Sequence, residues 1–273
     1  MHPVIFSFGG ITIYSFGLMM GVSFLIGNYL LTKEFKRKKL HPDLASNITL
    51  IALVAGVSGS KFLHLLENWS EFVQDPIGMI FSPGGLTFYG GFVLATITVY
   101  FYAKKKNIKF IQIADSIAPA VMLAYGIARI GCHLAGDGDY GFPTSLPWGT
   151  DYSNGTYPPS AAFRNFPEVT SQFPNGIVPD NILCHPTPVY ETIICSIFFV
   201  ILWKNRLRWK AEGQMFYAYL VLAGIERFSV EFFRLNPRLL FGLSEAQIIA
   251  VILVAIGAIG LNSLNRLEKK LPL

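Results

Sequence analysis

ITIYSFGLMMGVSFLIGNYLLTKEFKRKK, residues 11–39, decides how the chain folds. Residues 11–32 carry no charge and are long enough to cross a bilayer, which takes roughly 20 helical residues. Five cations follow at once: Lys33, Lys36, Arg37, Lys38 and Lys39. An apolar run closed by a basic cluster reads as a membrane span that ends in the cytoplasm.

The same pattern repeats downstream. Hydropathy places seven spans at 11–33, 44–66, 85–103, 112–131, 187–204, 214–233 and 244–263. The composition agrees, with 52% apolar and only 14% charged residues, where a soluble domain carries about 25% charged. Basic clusters follow span three (Lys104, Lys105, Lys106, Lys109), span five (Lys204, Arg206, Arg208, Lys210) and span seven (Arg266, Lys269, Lys270). The loops after spans two and four hold only Arg164. The positive-inside rule therefore sets the N-terminus outside and the C-terminus in the cytoplasm. This topology accounts for the net charge of +5, and no nucleic-acid partner is expected.

The expected fold is an all-α integral membrane protein, a single domain over 1–273 with a head insertion at 135–185. That insertion is rich in Pro, Gly, Asn and aromatics (DYGFPTSLPWG, GTYPPS, FPNG), which read as turns and short extended pieces. On this topology it lies outside, as a surface cap or as a head guarding a site. The Met-His-Pro start lacks a positively charged leader, so the first apolar segment is expected to stay as a span. Cys132, Cys184 and Cys195 have no metal-site spacing. Cys132 and Cys184 fall on the outer side, where a disulfide can form, and Cys195 is a packing residue of span five. No metal or nucleotide motif is present, so no cofactor is expected.

Six cations remain outside the cytoplasmic clusters: Lys61, Arg129, Arg164, Arg227, Arg234 and Arg238. Lys61, Arg129, Arg227 and Arg234 belong to spans running from inside to outside, and all fall in the outer half of the membrane. A charge at mid-bilayer costs about 2.5–3.5 kcal/mol on insertion scales. Each either snorkels or pairs with a carboxylate such as Glu191, Glu226 or Glu231, or it serves a function. For Arg129 and Arg227 together function is the better account. A guanidinium fork matches phosphate oxygens, so the natural partner is an anionic phospholipid. Gly84, Gly85, Gly90 and Gly91 begin span three on that same side. They allow close helix packing, or present N–H groups to an anion. Asp115, early in span four, reads as a helix cap.

The motifs also carry a resemblance. FGL at 16–18, GGLTFYGG at 84–91, ADSIAP at 114–119, GIARIG at 126–131, HPTPVYE at 185–191 and ERFSVEFFR at 226–234 stand in the order found in the bacterial prolipoprotein diacylglyceryl transferase family. The chain resembles that family over nearly its whole length. The resemblance implies a bacterial inner-membrane enzyme with a periplasmic N-terminus. Such enzymes move the diacylglyceryl group of phosphatidylglycerol to the thiol of a lipobox cysteine in a prolipoprotein and release glycerol 1-phosphate. It implies that Arg129 and Arg227 hold the phosphate, that Glu231 and Asp137 orient them, and that Gly141 closes the loop after span four. Lys61, Gly90, Gly91, Cys132, Glu191 and Arg234 complete the candidate substrate-binding set.

Several family positions differ. A histidine of the span-three motif is Tyr89 here, and two asparagines after the Arg-x-Gly turn are Cys132 and Ala135. Asp137 replaces a glutamate, and GDGDYG has one extra residue before Gly141. Phe16 stands for a tyrosine, Lys61 for an arginine, and Ala223 for a tyrosine that Tyr219 approaches one turn earlier. Tyrosine, with a pKa near 10, is a poor base at neutral pH. Tyr89 and His133 are thus both candidates for proton handling, His133 being the imidazole beside the changed position. Two other readings stay open: a divergent member acting on another acceptor or lipid, and a non-catalytic lipid-binding protein.

Overall fold

The computed structural model describes residues 1–82 and 84–270, and the side chains of Ile11, Leu267, Glu268, Lys269 and Lys270 lie outside the described residues. Its long helices are α1 (Ser15–Arg37), α2 (Asp43–Glu67), α3 (Phe88–Lys105), α4 (Phe110–Ala135), α5 (Thr187–Asn205), α6 (Gln214–Val230) and α7 (Glu245–Lys270). Each corresponds to one expected span, with shifted ends. The first span begins at Ser15, not at residue 11, because Ile11–Tyr14 forms strand β2, paired antiparallel to β1 (Val4–Phe8).

Five helices, α1, α2, α4, α5 and α7, are long and apolar enough to cross a membrane. The other two are shorter, α3 with 18 residues ending in Lys104 and Lys105, and α6 with 17. At 1.5 Å per residue, 17 residues reach only about 25 Å.

The chain divides into two compact units, one made of Asn28–Ser116 and one of Met1–Gly27 with the chain from Ile117 onward. In the unit Asn28–Ser116, α2 packs on α3 through glycines. A Cβ on Gly59 would meet Leu94 Cβ at 2.7 Å, one on Gly90 would meet Leu63 Cβ at 2.5 Å, and one on Gly91 would meet Gly56 O at 2.6 Å. Small residues are what lets apolar helices approach this closely. Asp115 does not cap α4: it lies in the second turn, 4% exposed, with Lys38 Nζ at 3.7 Å. A buried carboxylate needs such a cation.

In the other unit, α4, α5 and α6 share a core of Ala118, Met122, Cys195, Leu202, Met215 and Ala218. Helix α6 also meets α7 closely, since a Cβ on Gly224 would lie 2.6 Å from Ala250 O. The segment between α4 and α5 has its own core, with Tyr140, Tyr152, Phe163, Val178 and Cys184 buried. Its regular structure is slight: two helical turns, a 3-10 turn, and the two-residue strands β3 (Thr150–Asp151) and β4 (Leu183–Cys184). All three cysteines are free and buried, so Cys132 and Cys184 are not paired. Between α6 and α7 stands a second hairpin, β5 (Arg238–Leu240) and β6 (Leu243–Ser244).

Candidate functional site

Arg129 lies in the penultimate turn of α4, with Tyr125 one turn before it on the same face. Its guanidinium stacks over the Tyr125 ring, 4.7 Å from the centroid. Glu191 lies in the second turn of α5, whose start is set by Thr187 and by Pro188, a residue suited to a first helical turn. Arg227 falls in the last turn of α6, Glu231 follows four residues later at the helix C-cap, and Arg234 three residues after that in the turn beyond the helix.

These elements bring three guanidiniums around Glu191, which is fully buried. Arg129 Nε is 3.0 Å from Glu191 Oε2, while Arg227 Nη1 and Arg234 Nη1 each lie 3.4 Å from Oε1. The Tyr125 hydroxyl donates to that same Oε1 at 3.0 Å. Glu231, also fully buried, meets Arg227 Nη2 at 3.1 Å through Oε2. Its Oε1 accepts from Asn236 Nδ2 at 2.6 Å and Ser244 Oγ at 2.7 Å. The β5–β6 hairpin thus fixes Glu231 through Ser244, and Arg238 donates to the Glu231 carbonyl at 3.3 Å. Oε2 of Glu191 and Oε2 of Glu231 hold their arginines by charge, without a well-aligned hydrogen bond.

A third carboxylate, Asp139, comes from the loop after α4. Its Oδ1 accepts from Arg234 Nη2 at 2.5 Å, and its Oδ2 pairs with Arg129 Nη1. Burial alone would raise its pKa, but Arg234 and Arg129 overcome that and hold it at about 2. Neighbouring Asp137 is shifted upward, by burial first and then by the charge of Asp139.

Arg129, Arg227, Arg234, Glu191 and Glu231, singled out from the sequence, therefore form one connected cluster. Cys132 adjoins it, with Arg129 Nη1 3.5 Å from its sulfur. Gly141 closes the loop: its N–H donates to His185 O at 2.8 Å, and it forms a β-bridge with Arg234. A Cβ there would lie 2.9 Å from Thr187 Cγ2, so the position has no room for a side chain. His133 is on α4 one turn beyond Arg129, and its Nδ1 lies 3.0 Å from the buried Tyr152 hydroxyl.

Lys61, Tyr89, Gly90 and Gly91 belong to the unit Asn28–Ser116. There Lys61 Nζ donates to Ser82 O at 3.0 Å, Ser82 Oγ at 2.7 Å and Gly84 O at 2.8 Å, tying down the turn before α3. Tyr89 is half exposed. Gly90 and Gly91 pack α3 on α2.

Sequence reasoning missed Asp139 and Tyr125. Tyr125 is four residues before Arg129, a spacing that puts it on the same helical face, whereas Asp139 is in the lengthened GDGDYG turn, where spacing does not mark it. Next to Glu191, Tyr190 borders a cavity of about 370 Å³, whose walls include Leu146, Trp148, Ile194 and Phe233.

Five apolar helices of membrane-spanning length and a partly buried knot of arginines and carboxylates define an apolar helical protein that keeps charge among its helices. Residues 3–262 match the family described as prolipoprotein diacylglyceryl transferase, and the chain belongs to that family. It is 32% identical over 274 residues to a protein of Clostridium tetani named phosphatidylglycerol–prolipoprotein diacylglyceryl transferase, covering 99% of this chain and 100% of the relative. A protein of the same name from Clostridioides difficile is 31% identical, with 98% of each chain covered. One from Trichormus variabilis is 29% identical, covering 99% of this chain and 92% of its own.

Proposed function

We propose that this chain is a phosphatidylglycerol-dependent diacylglyceryl transferase of the bacterial inner membrane, acting on the cysteine thiol of a prolipoprotein lipobox. The observation that carries this reading is the convergence of Arg129, Arg227 and Arg234 on one buried carboxylate, Glu191. Three guanidiniums gathered from α4, α6 and the segment after α6, that of Arg234 buried and those of Arg129 and Arg227 partly exposed, suit a phosphate group, whose oxygens accept forked N–H donors. Family membership supplies the chemistry.

The acceptor thiol gives up its proton, and its sulfur bonds to the glyceryl carbon bearing the phosphate ester. The carbon–oxygen bond to phosphate breaks, and glycerol 1-phosphate leaves with the charge that Arg129 and Arg227 stabilise. Glu191 and Glu231 orient the arginines, and the loop carboxylate in contact with them is Asp139, two residues beyond the Asp137 that the sequence suggested for this role. We assign proton acceptance to His133 through Nε2, because its Nδ1 faces Tyr152 and the phenol of Tyr89 is a poor base at neutral pH. The apolar cavity beside Tyr190 supports a lipid substrate.

The same reading makes α3 and α6 spans as well, for seven in all. The N-terminus and the 135–185 head are then periplasmic and the C-terminus cytoplasmic, as the basic clusters require.

The test is to give purified protein phosphatidylglycerol labelled in its acyl chains together with a lipobox peptide. Label should pass to the cysteine peptide and not to its serine counterpart, with release of glycerol 1-phosphate. Lipid binding without any release would leave the protein a lipid binder. His133→Asn should lower turnover by about 100-fold or more without changing lipid binding, and unchanged turnover removes His133 from the chemistry.

A further inference from the structure

Asp139 bridges two arginines of the cluster. One of its oxygens takes Arg234 Nη2 at 2.5 Å and the other takes Arg129 Nη1, so a single small anion bridges two guanidiniums from separate segments. A phosphodiester presents two non-bridging oxygens in a comparable fork. The three arginines of the cluster are paired with three carboxylates, Glu191, Glu231 and Asp139. The cluster therefore offers an arriving anion no unpaired cation.

The three carboxylates are not equally able to give way. Glu191 and Glu231 are fully buried, and Glu231 is further held by Ser244 and Asn236. Withdrawing either would strand buried charge. The Asp139 side chain is 30% exposed, and it follows Gly138, whose φ of +91° sharply bends the loop. Its carbonyl is fixed separately, by the Thr187 hydroxyl at 2.5 Å. Rotation about its Cα–Cβ bond therefore swings the carboxylate outward while the backbone stays in place.

We propose that Asp139 is a resident anion in the phosphate seat, and that the phosphodiester of an anionic lipid takes its place between Arg129 and Arg234. This rests on reading the cluster as the lipid-phosphate site. The exchange swaps one negative charge for one negative charge, so the buried cluster keeps its balance with the seat filled either way. A phosphate monoester carries up to two negative charges near neutral pH. The leaving group is thus overcharged for the seat, and the returning Asp139 favours its release. Asp139 is in this sense a positioning residue that sets lipid affinity.

The test uses full-length protein in detergent, titrated with dioctanoyl phosphatidylglycerol and, as the phosphate-free control, dioctanoylglycerol. Asp139→Asn and Asp139→Ser should each bind phosphatidylglycerol several-fold more tightly than wild type, with binding of the control unchanged. Equal or weaker phosphatidylglycerol binding in both variants overturns the proposal and leaves Asp139 a residue that only holds its arginines. Tighter binding in the variants without any transfer by wild type would sink the transferase reading and keep this one. Transfer by wild type with weaker binding in the variants would do the reverse.

Discussion

Glu191 and Arg129 are joined at 3.0 Å between α5 and α4, and the same carboxylate takes Arg227, Arg234 and the Tyr125 hydroxyl. Removing the charge at the centre of such a cluster leaves three guanidiniums short of a counter-ion. Breaking one buried pair typically costs about 3–5 kcal/mol. Glu191→Gln should therefore lower the thermal midpoint in detergent markedly and abolish turnover. A variant with an unchanged midpoint would show that the arginines do not depend on Glu191.

Asp139 sets a pH dependence with a definite sign. Its folded pKa, about 2, lies below the ordinary aspartate value near 3.8. Its contribution to stability is thus fully present above the unfolded value and is lost as pH falls through about 2. The wild-type thermal midpoint should be insensitive to this group between pH 7 and about pH 5, then fall below about pH 4. In Asp139→Asn that acid-side fall should be smaller, as followed by thermal melts across the series.

Membrane orientation can be read by cysteine labelling, since the three native cysteines are buried. Arg164 and Lys105 are both exposed. In intact cells with a permeabilised outer membrane, Arg164→Cys should react with an impermeant maleimide and Lys105→Cys should react only after lysis. The opposite pattern would invert the topology.

Close helix contact at Gly90 gives a packing prediction. A Cβ there meets Leu63 and the backbone of α2, and overpacking of this kind costs about 1–3 kcal/mol. Gly90→Val should lower the yield of folded protein, whereas the same change at Gly84, where a Cβ meets nothing within 4 Å, should not. Equal yields would separate Gly90 from the α2–α3 contact.

Much of this was legible in the chain because membrane helices announce themselves by apolar length, and buried cations stand out against it. That is how Arg129, Arg227 and Arg234 were found. Their partners Glu191 and Glu231 were named as carboxylates within reach, yet which arginine meets which depends on how α4, α5 and α6 pack, and no spacing encodes that. Asp139 escaped notice because a carboxylate in a glycine-rich loop ordinarily faces solvent. Only the fold brings it onto two arginines. Lys61 was placed by charge and depth, but its role depends on the Ser82 and Gly84 carbonyls that the turn before α3 presents to it. Strand β2 replaced the first residues of span one because Ile11–Tyr14 found a partner in Val4–Phe8.

On the proposed function, the arginine cluster holds the phosphate of the lipid donor and of the departing glycerol 1-phosphate. The most direct measurement is glycerol 1-phosphate release from phosphatidylglycerol by Arg129→Ala and Arg227→Ala, each first shown to be present and folded in the membrane. No measurable release is expected from either variant. Wild-type release from both would contradict it.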